Sequence, residues 1–103
     1  MKLTSERKIS AYQYCIDEIV ADYPYDNGGA TPFMCLLLTK WYIINMGRRL
    51  SIYDLKRLFP EIFECKPSYY IGEFTGWFPN DDEGNTIRTV CLQWCIDKLQ
   101  SSI

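Results

Sequence analysis

One segment constrains the fold of this chain more than any other. Residues 33–44 are almost wholly apolar, and a helix formed from them is apolar around its circumference. Thr31 is a good N-cap, Pro32 suits the first turn, and Gly47 can adopt the left-handed conformation that ends a helix. Because a helix that is apolar on all sides is surrounded by protein, the segment predicts a buried second helix.

Three further helices are predicted from apolar residues that recur at spacings of three and four. The first extends from Thr4 or Ser5 to about Tyr23. The third follows the N-cap Ser51, with Asp54 three residues on in the position of a capping box. The last covers about residues 85–99, and Pro60 begins a short further turn before it.

The last helix is predicted to bury one apolar stripe, with Arg88 nearer to its exposed side. The first helix is predicted to bury a similar stripe that includes Val20. The residues expected in the buried stripe of the last helix are Ile87, Val90, Cys91, Trp94, Cys95 and Leu99.

Residues 66–80 are irregular and rich in aromatic side chains, and 69–74 favour β-structure, so short strands are possible there. The sequence therefore predicts a mainly α fold, a small compact bundle of four helices with this irregular segment. The 103 residues are expected to form one domain, 1–103. A chain this small offers little to cover the second helix, so we expect a homodimer.

The cysteines predict a reducing compartment. There are five, in an odd number and without a Cys-x-x-Cys motif, and the first residues are polar. We therefore interpret them as packed thiols of a cytoplasmic protein. No apolar run reaches the length of a membrane span, so no membrane association is expected. Without histidine, no metal site or other cofactor is predicted.

The absence of histidine also limits the chemistry. It excludes Ser-His and Cys-His nucleophiles and histidine acid–base catalysis. The Gly28-Gly29 pair lacks the lysine of a phosphate-binding loop. Neighbouring acids are explained by exposed helix faces and helix capping. We therefore predict that the protein is not an enzyme.

A basic stretch favours binding of a small anionic, nucleotide-like ligand. Residues 40–57 contain five cations and a single acid, Asp54. Arginine matches phosphate oxygens with paired donors, and aromatic rings stack on bases. A simpler interpretation, cations at a helix C-terminus and on a solvated face, stays open. The predicted ligand-binding residues are Lys40, Trp41, Arg48, Arg49, Tyr70, Trp77 and Arg88.

An alternative is a protein–protein inhibitor or adaptor that occludes a host protein. Residues 61–83 are acidic and contain aromatic side chains of the kind that anchor interfaces. The partner-binding residues in this interpretation are Glu73, Trp77, Phe78, Asp81 and Asp82. A second alternative is a helix-turn-helix DNA binder made by the second and third helices. The net charge of −2 makes nucleic acid an unfavourable partner.

Three segments of the sequence, taken in order, resemble the pattern of a known class of proteins. These are the apolar Cys-containing segment Met34–Leu36, the segment Trp77–Pro79, and Arg88 followed by Leu92. Over residues 33–99 this order resembles small uncharacterised accessory proteins of bacteriophages and prophages. The resemblance implies an accessory role such as counter-defence, performed by binding in the cytoplasm of a bacterial host. It assigns no activity to any residue.

Overall fold

Residues 2–21, 34–65 and 82–101 are described by the computed structural model. Within these ranges most residues lie in helices and none in a strand, which confirms the mainly α prediction. The segment at 66–80 lies outside the described residues. The helices are α1 (Ser5–Ala21), α2 (Met34–Met46), α3 (Ile52–Leu58), α4 (Pro60–Cys65) and α5 (Asp82–Ser101). The described part of the chain thus has five helices where four were predicted, because the turn expected after Pro60 is a helix.

Local signals at the start of α3 act as the sequence predicts. The Ser51 hydroxyl accepts a hydrogen bond from the Asp54 N–H, and the Asp54 carboxylate accepts one from the Ser51 N–H, both at 3.2 Å. This capping box satisfies backbone donors that the first turn leaves free. Gly47 has a φ of +78° and ends α2 in the predicted left-handed conformation.

The central element is α1. It packs most extensively against α5 and also packs against α2, while α4 packs against α5. Its buried residues are Ala11, Tyr12, Cys15 and Ile19, which lie on one side of the helix. The Cα radius of gyration of 12.9 Å is that of a compact chain of this length.

A single copy of the chain leaves part of α2 uncovered, and its coverage by a second copy stays a prediction. Leu36, Ile43 and Ile44 are exposed, and Ile44 retains 66% of its accessible surface. The opposite side of α2, with Leu38 and Trp41, is buried. Since α2 contacts only α1 extensively and α3 to a lesser degree, the described chain covers one side of it.

The predicted exposure of α5 also needs correction. Arg88, expected near the exposed side, is 1% exposed, whereas Trp94 is 40% exposed and Val90 is exposed too. Apolar residues cover more than half of the circumference of α5. Two overlapping stripes therefore have helical spacing, and either of them could form the buried side. Packing against α1 and α4 selects the stripe rotated towards Arg88, whose long aliphatic stem can pack in a core. The buried residues are Arg88, Cys91, Leu92, Cys95, Ile96 and Leu99.

The start of α1 at Ser5 agrees with the prediction. Ala21 is its last described residue, and the predicted end at Tyr23 lies outside the described residues. Val20, expected in the buried stripe, is exposed because the buried side is centred on Cys15 and Ile19. None of the helices in the described ranges is long and apolar enough to cross a bilayer.

A buried polar network joins α1 to α4. Glu61 is only 8% exposed, yet its carboxylate accepts a 2.7 Å hydrogen bond from the Tyr12 hydroxyl and lies 3.1 Å from Lys8 Nζ. The Tyr12 ring also packs edge-on against Phe59, with centroids 5.6 Å apart. Because a buried carboxylate is costly without donors, this network fixes the position of α4 on α1.

The network predicts the effect of removing one hydroxyl. Tyr12→Phe leaves the Glu61 carboxylate without its shortest hydrogen bond and should lower the free energy of unfolding by about 1.5–3 kcal/mol. Tyr53→Phe is the matched control, because the Tyr53 side chain is 83% exposed and should change little. Urea unfolding followed by circular dichroism measures both. Equal stability of the two variants would contradict this role of Tyr12.

Candidate functional site

A groove of about 580 Å³ runs along α1 between α2 and α5. Its base is a polar stripe of α1 formed by Glu6, Ser10, Gln13 and Asp17, all exposed. These residues are spaced by four, three and four, so they lie along one side of the helix. That side is opposite to the buried residues of α1. We call this site the α1 groove.

Neighbouring helices supply the walls of the α1 groove. Trp41, Ile44 and Asn45 come from α2, and Ile96 and Gln100 come from α5. Ile9 and Tyr14 of α1 complete the lining. The walls are therefore mainly apolar and aromatic, and they stand beside a polar base.

The charges in the lining are all negative. Glu6 and Asp17 are carboxylates, and none of the described residues that line the groove is a lysine or an arginine. Gln13 Nε2 donates a 2.9 Å hydrogen bond to Asp17 Oδ1. Asn45 Nδ2 donates one of the same length to the Trp41 carbonyl, which orients the amide. The α1 groove therefore favours a cationic or neutral ligand over an anionic one.

Tyr14 remains a neutral phenol in the wall. Burial is the largest cause that raises its pKa, and the Glu18 carboxylate raises it further, whereas Lys40 lowers it. These effects place the Lys40 ammonium near the side of α1. Lys40 is thus close to the groove without being part of its lining.

The predicted ligand-binding residues are dispersed where they are described. Lys40 is exposed on α2, Trp41 is buried beneath the groove, and Arg88 is inside the core. Arg48 and Arg49 are exposed after α2. Among these described residues only Trp41 lines the α1 groove. Tyr70 and Trp77 lie outside the described residues.

Most of the alternative partner-binding set also lies outside the described part of the chain. This applies to Glu73, Trp77, Phe78 and Asp81. Asp82 is the first residue of α5, and its side chain is not described. The proposed role of these residues stays a prediction.

A second charged surface surrounds α3. Four cations there, Arg48, Arg49, Lys56 and Arg57, are exposed. Lys56 and Arg57 follow the exposed Tyr53 by three and four residues, so they share its side of α3. Asp54 lies 3.7 Å from Arg48 and 3.3 Å from Arg57. Hydrogen bonds from the Ser51 backbone and from Arg57 hold the pKa of Asp54 below its usual value. We call these residues the α3 basic surface.

The described cysteines are structural thiols. Cys15, Cys91 and Cys95 are buried, and Cys65 is half-buried. Burial raises the pKa of Cys95, and the neighbouring Cys65 and Glu61 raise it further, so its thiol stays protonated. Within the described ranges no group of three or more cysteine or acidic side chains is placed to hold a metal ion.

Sequence reasoning missed the polar residues of the α1 groove. Glu6, Gln13 and Asp17 were not among the residues predicted to bind a ligand or a partner. Their regular spacing in the sequence was visible, but it is also the spacing of any exposed helix face. The signal that distinguishes them is the position of Ile44 and Ile96 beside this face, which depends on tertiary packing.

No protein-family model, curated protein or solved structure matches this chain. The geometry of the two surfaces is therefore the basis for a functional proposal.

The buried Tyr12 predicts a loss of stability at alkaline pH. Burial, and next to it the Glu61 carboxylate, raise the pKa of Tyr12 well above its ordinary value of 10.0. The phenol therefore stays protonated in the folded protein after it ionises in the unfolded chain. Its contribution is complete below pH 10 and is lost as the pH rises further, by about 1.4 kcal/mol per pH unit.

Urea unfolding from neutral pH to about pH 11 measures this loss. The Tyr12→Phe variant should show a shallower decline than the parent above pH 10, because it lacks the titrating group. The burial-raised pKa of Cys95 should begin a separate decline near pH 9.0 in both proteins. Parallel curves for parent and variant above pH 10 would contradict the assignment to Tyr12.

Proposed function

We propose that the protein is a non-enzymatic binding protein that engages another protein through the α1 groove. The observation that carries this proposal is the combination of a carboxylate-bearing base with apolar walls in one groove. Exposed apolar surface with a polar surround is typical of protein interaction sites. Ile44 provides such surface at the wall, with 66% of its area exposed.

The charges of the groove favour this proposal over nucleotide sequestration at the same place. A phosphate group in the α1 groove would meet Glu6 and Asp17, and the described lining offers it neither lysine nor arginine. Trp41 lines the groove but is only 5% exposed, so its ring offers little area for stacking on a base. An apolar segment of a protein with cationic groups suits the groove better.

This function accords with the accessory role implied by the resemblance to phage proteins. An adaptor or inhibitor in a bacterial cytoplasm would act by occluding a host protein, and it would need no catalytic group. The exposed Leu36 and Ile43 of α2 support the proposed homodimer as well, since a second copy would cover them.

The first functional prediction concerns Ile44. Ile44→Glu places a carboxylate in the apolar wall and should abolish capture of the partner without unfolding the protein, because Ile44 is exposed. Val90→Glu is the control, because Val90 is similarly exposed on α5 and does not line the groove. Affinity capture from bacterial lysate with quantitative mass spectrometry compares both variants with the parent. Recovery of the same proteins by all three would refute the proposal.

A second candidate function is favoured by the α3 basic surface. Its four cations face a single acid, and Tyr53 is 83% exposed beside them. Guanidinium groups bind phosphate oxygens in pairs, and an exposed ring can stack on a base. This surface therefore supports binding of a small anionic, nucleotide-like ligand at a place different from the α1 groove.

This candidate predicts the result of a charge reversal. Arg48→Glu with Arg49→Glu should remove a bound anion while the thermal unfolding curve remains similar, because both side chains are exposed. Lys2→Glu with Arg7→Glu makes the same change in net charge on a different segment and should retain the anion. Native mass spectrometry of protein freshly purified from bacteria measures the retained mass and the number of subunits. Retention of the anion by the Arg48/Arg49 variant would exclude this function.

A further inference from the structure

We infer that the α1 groove binds a basic amphipathic helix of the partner protein, lying alongside α1. This inference rests on the proposed function of the groove and specifies the segment that it recognises. It is carried by the spacing of the two carboxylates, by the apolar residues that line the same groove, and by the charges elsewhere in the chain.

The separation of the two carboxylates matches a repeat of the α-helix. Glu6 and Asp17 are eleven residues apart on α1, which corresponds to about three turns and about 16 Å along the axis. Eleven residues bring both side chains to the same side of the helix. A partner helix aligned with α1 presents Lys or Arg at the same separation when its own cations are eleven residues apart. Each end of the groove then holds one ion pair.

The part of the groove between the carboxylates suits the apolar side of such a helix. Ile44 of α2 and Ile96 of α5 both line the groove, and Ile44 is the more exposed of the two. Ser10 and Gln13 lie between Glu6 and Asp17, and the small Ser10 side chain permits close approach. Helices that dock in grooves contact them through residues spaced by three, four and seven. Apolar side chains at those spacings would reach both walls.

The remaining segments of this chain do not supply the required charges. Residues 22–33 contain two aspartates and neither lysine nor arginine. Residues 66–81 contain one lysine, Lys66, with two acids. Neither segment has two cations to pair with Glu6 and Asp17. No two lysine or arginine residues of this chain are eleven positions apart, so a second copy does not supply the required spacing either. Charge complementarity therefore favours a helix of another protein.

Two synthetic helical peptides test the inference directly. Both peptides carry a fluorescent label and have the same apolar face of leucines. One has two lysines eleven residues apart, and the other has two glutamates at the same positions. Fluorescence anisotropy measures their affinity for the full chain. The lysine peptide should bind at least about tenfold more tightly, because two attractive pairs replace two repulsive ones.

A matched pair of variants assigns the effect to the groove. Asp17→Lys should weaken the lysine peptide several-fold, whereas Asp97→Lys should leave its affinity unchanged. Both aspartates are exposed, lie four residues before the end of their helix, and accept a 2.9 Å hydrogen bond from the glutamine four residues earlier. Only Asp17 lines the groove. The double variant Glu6→Lys with Asp17→Lys should bind the glutamate peptide in preference.

Several results would overturn the inference. These are failure of the lysine peptide to bind, equal affinity for the two peptides, and an equal effect of Asp17→Lys and Asp97→Lys. Sedimentation analysis without peptide tests whether a second copy of the chain occupies the groove. Self-association that Asp17→Lys abolishes would assign the groove to a second copy. If Ile44→Glu still abolishes partner capture in those cases, the proposed function stands and only the basic helix is excluded. If Ile44→Glu has no effect on capture, the groove function itself fails.

Discussion

The fold depends on the two-sided packing of α1. One side of this helix buries Tyr12, Cys15 and Ile19 against the neighbouring helices, and the other exposes the polar stripe from Glu6 to Asp17. Because α2 and α5 both pack on α1, side chains of both helices lie next to that stripe and line the α1 groove with it. Core and candidate binding site are thus built from opposite sides of one helix.

A buried carboxylate contacts α1 on the side opposite to the groove. Glu61 comes from the acidic part of the sequence that suggested a partner surface, yet its carboxylate is held inside the protein by Tyr12 and Lys8. Desolvation of a carboxylate is unfavourable unless donors replace water, so the pairing selects one placement of α4. Since α4 packs on α5 as well, this network also supports the helix that forms the second wall of the groove.

The charges of the described protein are separated between two surfaces. The α1 groove has carboxylates and apolar walls, whereas the α3 basic surface has four cations around one acid. The net charge of −2 does not reveal this separation, because it sums the charges of every segment of the chain. Electrostatic complementarity governs association rate and partner choice, so the two surfaces suit ligands of opposite charge. This is why the basic helix and the anionic ligand are proposed at different places.

The sequence by itself determined most of the helical segments and several of their end signals, because these depend on contacts within a few residues. The Ser51–Asp54 capping box, the left-handed Gly47 and the helix after Pro60 are all of this local kind. Tertiary structure alone decided which side of α5 is buried, since overlapping apolar stripes fit helical spacing equally well. It placed Arg88 in the core and left Trp94 partly exposed. The α1 groove was likewise beyond sequence reasoning, because its lining comes from three helices that are distant in the chain and meet only through packing.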